Sequence, residues 1–359
     1  MLVRKNILKV TPYVGGKPIE ETKRQFGLKE VIKLASNENP LGASPKALKA
    51  IKDFLVNINR YPDSNSFYLK NKLAKKLRLN PQNLILGNGS DEIIDIIIKT
   101  FVEDDENIII SGSTFLEYEI IAKVNNKEVI TVPLKNFKYD LTAIKNKINR
   151  KTKLVFIANP NNPTGTFVSK AELEDFLSTL PNSVILVLDE AYDTFIDTSD
   201  YPFGINYFQM NNCIVMKTFS KAYGLAGLRI GFAIAKEELV SFMERVRQPF
   251  NVNSLAQVAA VAALEDSKFL AATKKNNLIE KKFLYKNLRD LNVSFVPTVT
   301  NFILIDTGKD GVEVFKEMLK YGVIVRDMQQ YGLKSFIRVT IGTRKENEKF
   351  IAVIKKVLK

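Results

Sequence analysis

The sequence predicts a two-domain α/β protein built on a mostly parallel sheet, and three observations carry that expectation. Short β-rich runs alternate with segments of helical spacing between about residues 84 and 235. Beyond residue 245 the pattern changes to long helices followed by short strands. A length of 359 residues exceeds one minimal domain and leaves ample chain to bury a core.

The elements follow in order. Residues 1–45 show few periodic features and hold two turn clusters, "TPYVGGKP" and "SNENPLGASP", so they are expected to form an arm that packs on other parts of the molecule, including a smaller domain. Residues 46–245 are expected to form the large domain, with a seven-stranded sheet. Its strand candidates are "LIL", "NIII", "EVITV", "LVFIA", "SVILVL" and "CIVM", and its helix candidates include "DEIIDIIIKTF" and "SKAELEDFLSTL". In such sheets ligands collect beyond the carboxyl ends of the strands. Residues 246–359 are expected to form a smaller α+β domain: helices at "NSLAQVAAVAALED" and "KKNNLIEKKFLYKNLRDL", strands at "NFILID", "VIVRD" and "FIRVTIG", and a closing helix "RKENEKFIAVIKKVL".

Composition removes whole classes of chemistry. The chain has one cysteine, Cys213, and no histidine, which excludes an intramolecular disulfide, zinc sites, Ser-His-Asp triads and Cys-His dyads. Proton transfer therefore falls to Lys, Tyr, Asp or Glu. The start "MLVRKNILKVTPYVGG" lacks the apolar core of a secretory signal, and no apolar run reaches the roughly 20 residues of a membrane span, so a cytoplasmic protein is expected. The formal net charge is +14, yet basic and acidic residues are interspersed, as in "KKNNLIEKKFLYKNLRD". This patterning points to a solvated lysine-rich surface rather than a nucleic-acid footprint, and a positive field favours small anionic substrates.

Four polar clusters follow the strands. In "LILGNGSDEII" a Gly-rich turn delivers Ser90 and Asp91 to the start of an apolar helix, where free N–H groups suit a phosphate; a plain N-cap is the alternative. In "FIANPNNPTG" two prolines stiffen the loop that carries Asn162, though an ordinary turn would also account for them. In "VILVLDEAYDTF" an apolar strand delivers Asp189 and, three residues later, Tyr192; Glu190 is a second candidate acid, and a helix cap is the alternative for either. In "MKTFSKAYGLAGLRIGF" Lys221 follows Ser220 and precedes Arg229 by eight residues, and a lysine amine held neutral can form a Schiff base. An aspartate for a pyridinium nitrogen, an asparagine and a tyrosine for a phenolic oxygen, an anion site and a lysine for an aldehyde together fit pyridoxal 5′-phosphate.

In this order the motifs "GNGSDE", "NPNNPTG", "DEAY" and "TFSKAYGLAGLRIG" resemble those of the aspartate-aminotransferase-like superfamily of fold type I. The spacings of 27 residues from Asn162 to Asp189 and 32 from Asp189 to Lys221 suit it, and the likeness covers essentially the whole chain. Within it, "PYVGGKPIEE", "IKLASNENPLGASPKAL", "NRYPDSNSFYLKNKLA" and "GVIVRDMQQYGLKSFIRVTIGT" are most similar to the histidinol-phosphate aminotransferase family. Aromatic-amino-acid aminotransferases and threonine-phosphate decarboxylases share most of these motifs, and a basic nucleic-acid-binding protein on the same scaffold is the remote alternative.

The resemblance implies a role for each matching position. Lys221 would bond covalently to the coenzyme aldehyde and shuttle the proton between Cα and C4′, and Asp189 would pair with the ring nitrogen. Asn162 and Tyr192 would bond the phenolic oxygen and Phe115 would stack on the ring, although the family often has tyrosine there. Ser90, Asp91, Ser220 and Arg229 would take the phosphate, with Thr218 in the same coenzyme-binding set. Tyr61, in "RYPD", would reach the phosphate of a neighbouring subunit, which implies a homodimer with shared sites. Arg338 and Arg326 would grip the anionic groups of the small-molecule substrates histidinol phosphate and 2-oxoglutarate, with Tyr13 and Asn39 closing the pocket. For Arg326, an ordinary surface strand arginine is the alternative.

Overall fold

Runs such as "LVFIA" and "VILVL" have no polar alternation, so as strands they need cover on both faces. The computed structural model describes every residue except Met1 and Asn211. In chain order its strands are β1 (Ile32–Lys33), β2 (Leu84–Gly87), β3 (Asn107–Ser111), β4 (Glu128–Val132), β5 (Thr152–Ala158), β6 (Ile185–Asp189), β7 (Cys213–Thr218), β8 (Gly231–Ile234), β9 (Phe295–Val296), β10 (Phe302–Asp306), β11 (Val323–Ile324), β12 (Arg326–Asp327) and β13 (Phe336–Thr340).

The large sheet has seven strands in the order β2-β8-β7-β6-β5-β3-β4. Its pairings are parallel except that β8 runs antiparallel to both β2 and β7. Because β8 returns directly from the carboxyl end of β7, the connection 219–230 stays at the edge where the parallel strands end. Six of the seven strands are the six β-rich runs of the sequence; β8 comes from "GFAI", beside the lysine motif.

Helices supply the cover. Gly89–Phe101 buries Ile93, Ile94, Ile97 and Ile98 in the same core as Ile109, Phe156, Val187 and Val215. Lys170–Thr179 begins with a capping box: the Ser169 side chain accepts from the Glu172 amide and the Glu172 carboxylate accepts from the Ser169 amide. Thr343 and Glu346 repeat that arrangement at the start of Arg344–Leu358.

A second core gathers Leu284, Leu288, Ile303, Ile305, Met318, Val339 and Phe350 around the antiparallel sheet β12-β13-β10-β9. The run "VIVRD" divides between two sheets: β11 pairs in parallel with β1, while β12 pairs with β13. The arm is thereby tied to the second core by backbone pairing. Ile19, Phe26 and Leu28 of the arm also pack on Val31, Ala35, Leu319 and Ile324. Helix Ser254–Leu264 buries Ala256, Ala259, Ala260 and Ala263 in the larger core, because its alanine face permits close packing. We therefore propose that the boundary between the two units lies nearer Asp266 than residue 245.

Candidate functional site

The carboxyl ends of the parallel strands open into one cavity. Its lining brings together Tyr13, Ser90, Asp91, Phe115, Asn162, Asp189, Tyr192, Thr218, Ser220, Lys221, Arg229, Arg326 and Arg338. These positions span more than 300 residues of sequence: those from Ser90 to Arg229 close or follow strands that end at one edge of the large sheet, whereas Tyr13 comes from the arm and Arg326 and Arg338 from β12 and β13.

Asp189 is the last residue of β6 and is buried. The Tyr118 hydroxyl donates to its Oδ2 at 2.6 Å and the Ala191 amide to its Oδ1 at 3.1 Å. Burial pushes its carboxyl up to about 6 against those two bonds, which pull the other way. A cationic ring nitrogen in the cavity would relieve that penalty. Its neighbour Glu190 leaves the strand on the opposite side, where it accepts from Lys217 Nζ at 2.6 Å and the Gly204 amide at 2.6 Å and does not line the cavity. Of the two candidate acids, Asp189 is the one in the site.

Lys221 sits in the connection after β7. Burial, followed by the positive charge of Arg338, lowers its amine to about 8. Its Nζ donates to the Ser36 carbonyl at 3.2 Å. An amine so placed is partly neutral near physiological pH, which nucleophilic attack on an aldehyde requires.

The start of helix Gly89–Phe101 is open to an anion. Its N-cap, Asn88, makes no side-chain capping bond, and Ser90 and Asp91 lie inside the first turn rather than capping it. The first-turn N–H groups are therefore not closed off by a capping side chain. Arg229 crosses this helix start and donates from Nη2 to Asp91 Oδ2 at 2.9 Å. Two glycines permit the approach. A Cβ on Gly89, whose φ is +82°, would fall 2.6 Å from Arg229 Nη2, and one on Gly231 would fall 3.0 Å from Gly89 C and Ser90 N. Ser220 is buried beside them, with its amide donating to Thr218 Oγ1 at 3.0 Å.

In the loop after β5, Asn159 and Asn161 are engaged in holding the loop. Asn159 Oδ1 accepts from the Val168 amide at 2.9 Å, and Asn161 bonds Ser113, Thr114 and Thr164. Asn162 instead lines the cavity, and its Oδ1 accepts from Arg338 Nη1. That contact leaves its Nδ2 donors for the cavity. Arg338 also donates from Nη2 to the Ala35 carbonyl at 2.7 Å, while its buried Nε has no partner among the described residues. A buried guanidinium nitrogen without an acceptor calls for an anionic ligand. Arg326 is buried rather than a surface strand arginine; it bonds Gln330 Oε1 at 3.1 Å and lies 5.4 Å from the Tyr13 ring centroid. Phe115 meets Tyr118 edge-on at 5.6 Å.

Two expected residues stand apart. Asn39 does not line the cavity: it is buried with Nδ2 donating to the Ala222 carbonyl and Thr273 Oγ1, both at 2.9 Å, so it anchors the turn that follows Lys221. Tyr61 is 84% exposed, stacked on Phe250 at 4.9 Å, and contributes nothing to the cavity of its own chain. Three residues at the site escape sequence reasoning. Ser36 and Asn37 lie in the quoted turn cluster "SNENPLGASP", where alternation along the arm offered no way to choose among its polar residues. Tyr118 falls on helix Glu117–Val124, where an aromatic at helical spacing signals only core.

The family model for aminotransferase class I and II matches residues 29–354. A histidinol-phosphate aminotransferase of Moorella thermoacetica is 48% identical over 357 residues, covering 99% of this chain and 92% of the relative. One of Caldicellulosiruptor saccharolyticus is 45% identical, covering 99% and 100%. The crystal structure of histidinol-phosphate aminotransferase from Sinorhizobium meliloti in complex with pyridoxal-5′-phosphate superposes with a TM-score of 0.91 at 27% identity, covering 100% of this chain and 98% of that one. A double mutant of aspartate aminotransferase from Thermus thermophilus, at 20% identity and a TM-score of 0.85, shares the fold.

Proposed function

The chain belongs to the aminotransferase class I and II family, and from that premise we propose that it transfers the amino group of L-histidinol phosphate to 2-oxoglutarate, a step of histidine biosynthesis. Its coenzyme is pyridoxal 5′-phosphate and its fold is type I. The observation that carries the reading is the pairing, in one cavity, of a buried amine of lowered proton affinity, Lys221, with a buried carboxylate of raised proton affinity, Asp189. Full-length identity of 48% to a histidinol-phosphate aminotransferase supports the choice of substrate.

The residues present fit the coenzyme on two observations: Asp189 is buried with no cationic partner among the described residues, and the glycine-lined helix start carries no capping side chain. When bound, pyridoxal 5′-phosphate supplies an aldehyde that captures an amino group and a ring that accepts electrons. Lys221 Nζ would hold that aldehyde and, as a free amine, would take the proton from the substrate carbon that bears the nitrogen. Asp189 would keep a proton on the ring nitrogen, with its own orientation fixed by Tyr118 and the Ala191 amide. The first turn of Gly89–Phe101, Ser220 and Arg229, which line the cavity, would hold the phosphate, and Asn162 Nδ2 and the Tyr192 hydroxyl would donate to the phenolic oxygen. Arg338 and Arg326 receive the phosphate of one substrate and a carboxylate of the other.

We place the protein as a homodimer. Val56, Ile58, Tyr61, Phe67 and Tyr68 expose a cluster of apolar side chains between residues 56 and 68, which supports a surface covered by a second copy. A cytoplasmic location fits the single, buried Cys213, and no helix among the described residues is long and apolar enough to cross a membrane. The test is glutamate formation from 2-oxoglutarate, with L-histidinol phosphate compared against phenylalanine and tyrosine. A higher kcat/KM for histidinol phosphate is expected, and a higher value for either aromatic amino acid contradicts the substrate assignment.

A further inference from the structure

The segment Ala35–Asn37 touches three residues of the site at once. The Ala35 carbonyl accepts from Arg338, the Ser36 carbonyl from Lys221, and the Asn37 Nδ2 donates to the Tyr192 hydroxyl at 2.9 Å. Asn37 is itself held firmly. Its backbone amide donates to Thr340 Oγ1 at 2.9 Å, its carbonyl accepts from Asn301 Nδ2 at 3.0 Å, and its Oδ1 accepts from the Thr340 hydroxyl at 3.3 Å. Its φ of +55° is a left-handed conformation that asparagine adopts more readily than most residues.

The direction of these bonds matters. The Thr340 hydroxyl already accepts from the Asn37 amide, so its proton is free to fix Oδ1 and turn Nδ2 toward Tyr192. A phenol that accepts a hydrogen bond keeps its own proton for donation elsewhere. Tyr192 lines the cavity, and donation into it is the only use the reading of the site has for that hydroxyl.

We propose that Asn37 is a positioning residue that sets the hydrogen-bond polarity of Tyr192, occupying its oxygen so that the phenolic proton points at the coenzyme's phenolic oxygen. The inference rests on the proposed coenzyme site. It also makes Asn37 the link by which Thr340 of β13 and Asn301, at the start of β10, reach a coenzyme ligand that follows β6 of the large sheet.

The variant Asn37→Asp keeps the outline, the tolerance of positive φ and the acceptor for Thr340, but replaces the donor facing Tyr192 by an acceptor. The Tyr192 proton then turns away from the cavity. A hydrogen bond withdrawn from the phenolic oxygen favours protonation of the neighbouring nitrogen, so the pH midpoint of the visible absorption of the coenzyme-loaded protein rises. The expected rise is about one pH unit, from the size of a hydrogen bond to a charged group. The same measurement is made on Tyr192→Phe and on the double variant. If Asn37 acts through Tyr192, the Asp substitution shifts the midpoint by about one unit in the wild-type background and by clearly less where the hydroxyl is missing, whereas a plain charge effect persists in both. Asn37→Gly, which suits the same φ, gives a smaller rise in the same direction and serves if the Asp variant does not fold, as judged by the melting of the coenzyme-free protein. Equal shifts in both backgrounds, or no shift with Asp and none with Gly, overturn the inference while leaving the coenzyme reading intact. A wild type that takes up no coenzyme, or a Tyr192→Phe variant with an unmoved midpoint, overturns the reading of the site and this inference with it.

Discussion

Replacing Asp189 by asparagine is expected to strengthen the coenzyme-free protein while disabling the enzyme. The carboxyl rises from an ordinary 3.8 to about 6 in the folded chain, chiefly through burial. That gap corresponds to about 3 kcal/mol between the charged and neutral forms. A carboxyl whose folded value is raised contributes stability that is present below the unfolded value near 4 and lost as pH climbs through about 6. Asparagine resembles the neutral form at every pH. Its Oδ1 can still accept from the Ala191 amide, and its Nδ2 can donate to a reoriented Tyr118 hydroxyl. The coenzyme-free Asp189→Asn protein should therefore match the wild type near pH 4 and exceed it at pH 8 by an amount approaching about 3 kcal/mol. Urea unfolding at both pH values, with the coenzyme removed, reads the difference directly. Equal or lower stability of the variant at pH 8 would refute the claim that the site holds an uncompensated carboxylate. With coenzyme added the order should reverse, because only aspartate gains from a charged ring nitrogen.

Other consequences follow from the same geometry. Coenzyme uptake by the free protein should rise with pH and level off above about 8, once the Lys221 amine has lost its proton, whereas stopped-flow absorbance would show an uptake still accelerating well beyond about pH 9 if that amine were ordinary. Arg338→Lys removes the planar fork and the unpartnered Nε; a loss of about 10- to 100-fold in kcat/KM for 2-oxoglutarate is expected in steady-state assays, equivalent to about 1.5–3 kcal/mol. Gly231→Ala places a Cβ 3.0 Å from backbone atoms of Gly89, Lys217 and Ser90. It should destabilise the fold by about 1–3 kcal/mol and weaken coenzyme binding, measured by denaturation and by equilibrium dialysis.

Much of this is legible in the sequence. The uninterrupted apolar runs of β5 and β6 leave a buried parallel sheet as the reasonable outcome, and polar residues immediately after such strands have to serve either caps or ligands. The strand pattern alone leaves Asp189 and Glu190 open, because the choice depends on which side of β6 each one leaves, and only the family motif singles out Asp189. The seventh strand was hidden for a related reason: β8 is short, reads "GFAI", and gains its strand identity from pairing with β2 and β7. Asn37 and Asn39 share one turn cluster, and only the long-range bonds to Tyr192, Thr340, Ala222 and Thr273 separate the two. Helix Ser254–Leu264 joined the larger core because alanine fits against whichever surface comes closest, a property that carries no address in the sequence.

The proposed activity requires a covalent bond between Lys221 and the coenzyme. Borohydride reduction of the loaded protein, followed by proteolysis and mass spectrometry, locates that bond among the many lysines of the chain. The mass of the reduced pyridoxyl group is expected on the peptide containing Lys221 alone. Its appearance on another lysine, or on none, would contradict the assignment of the site.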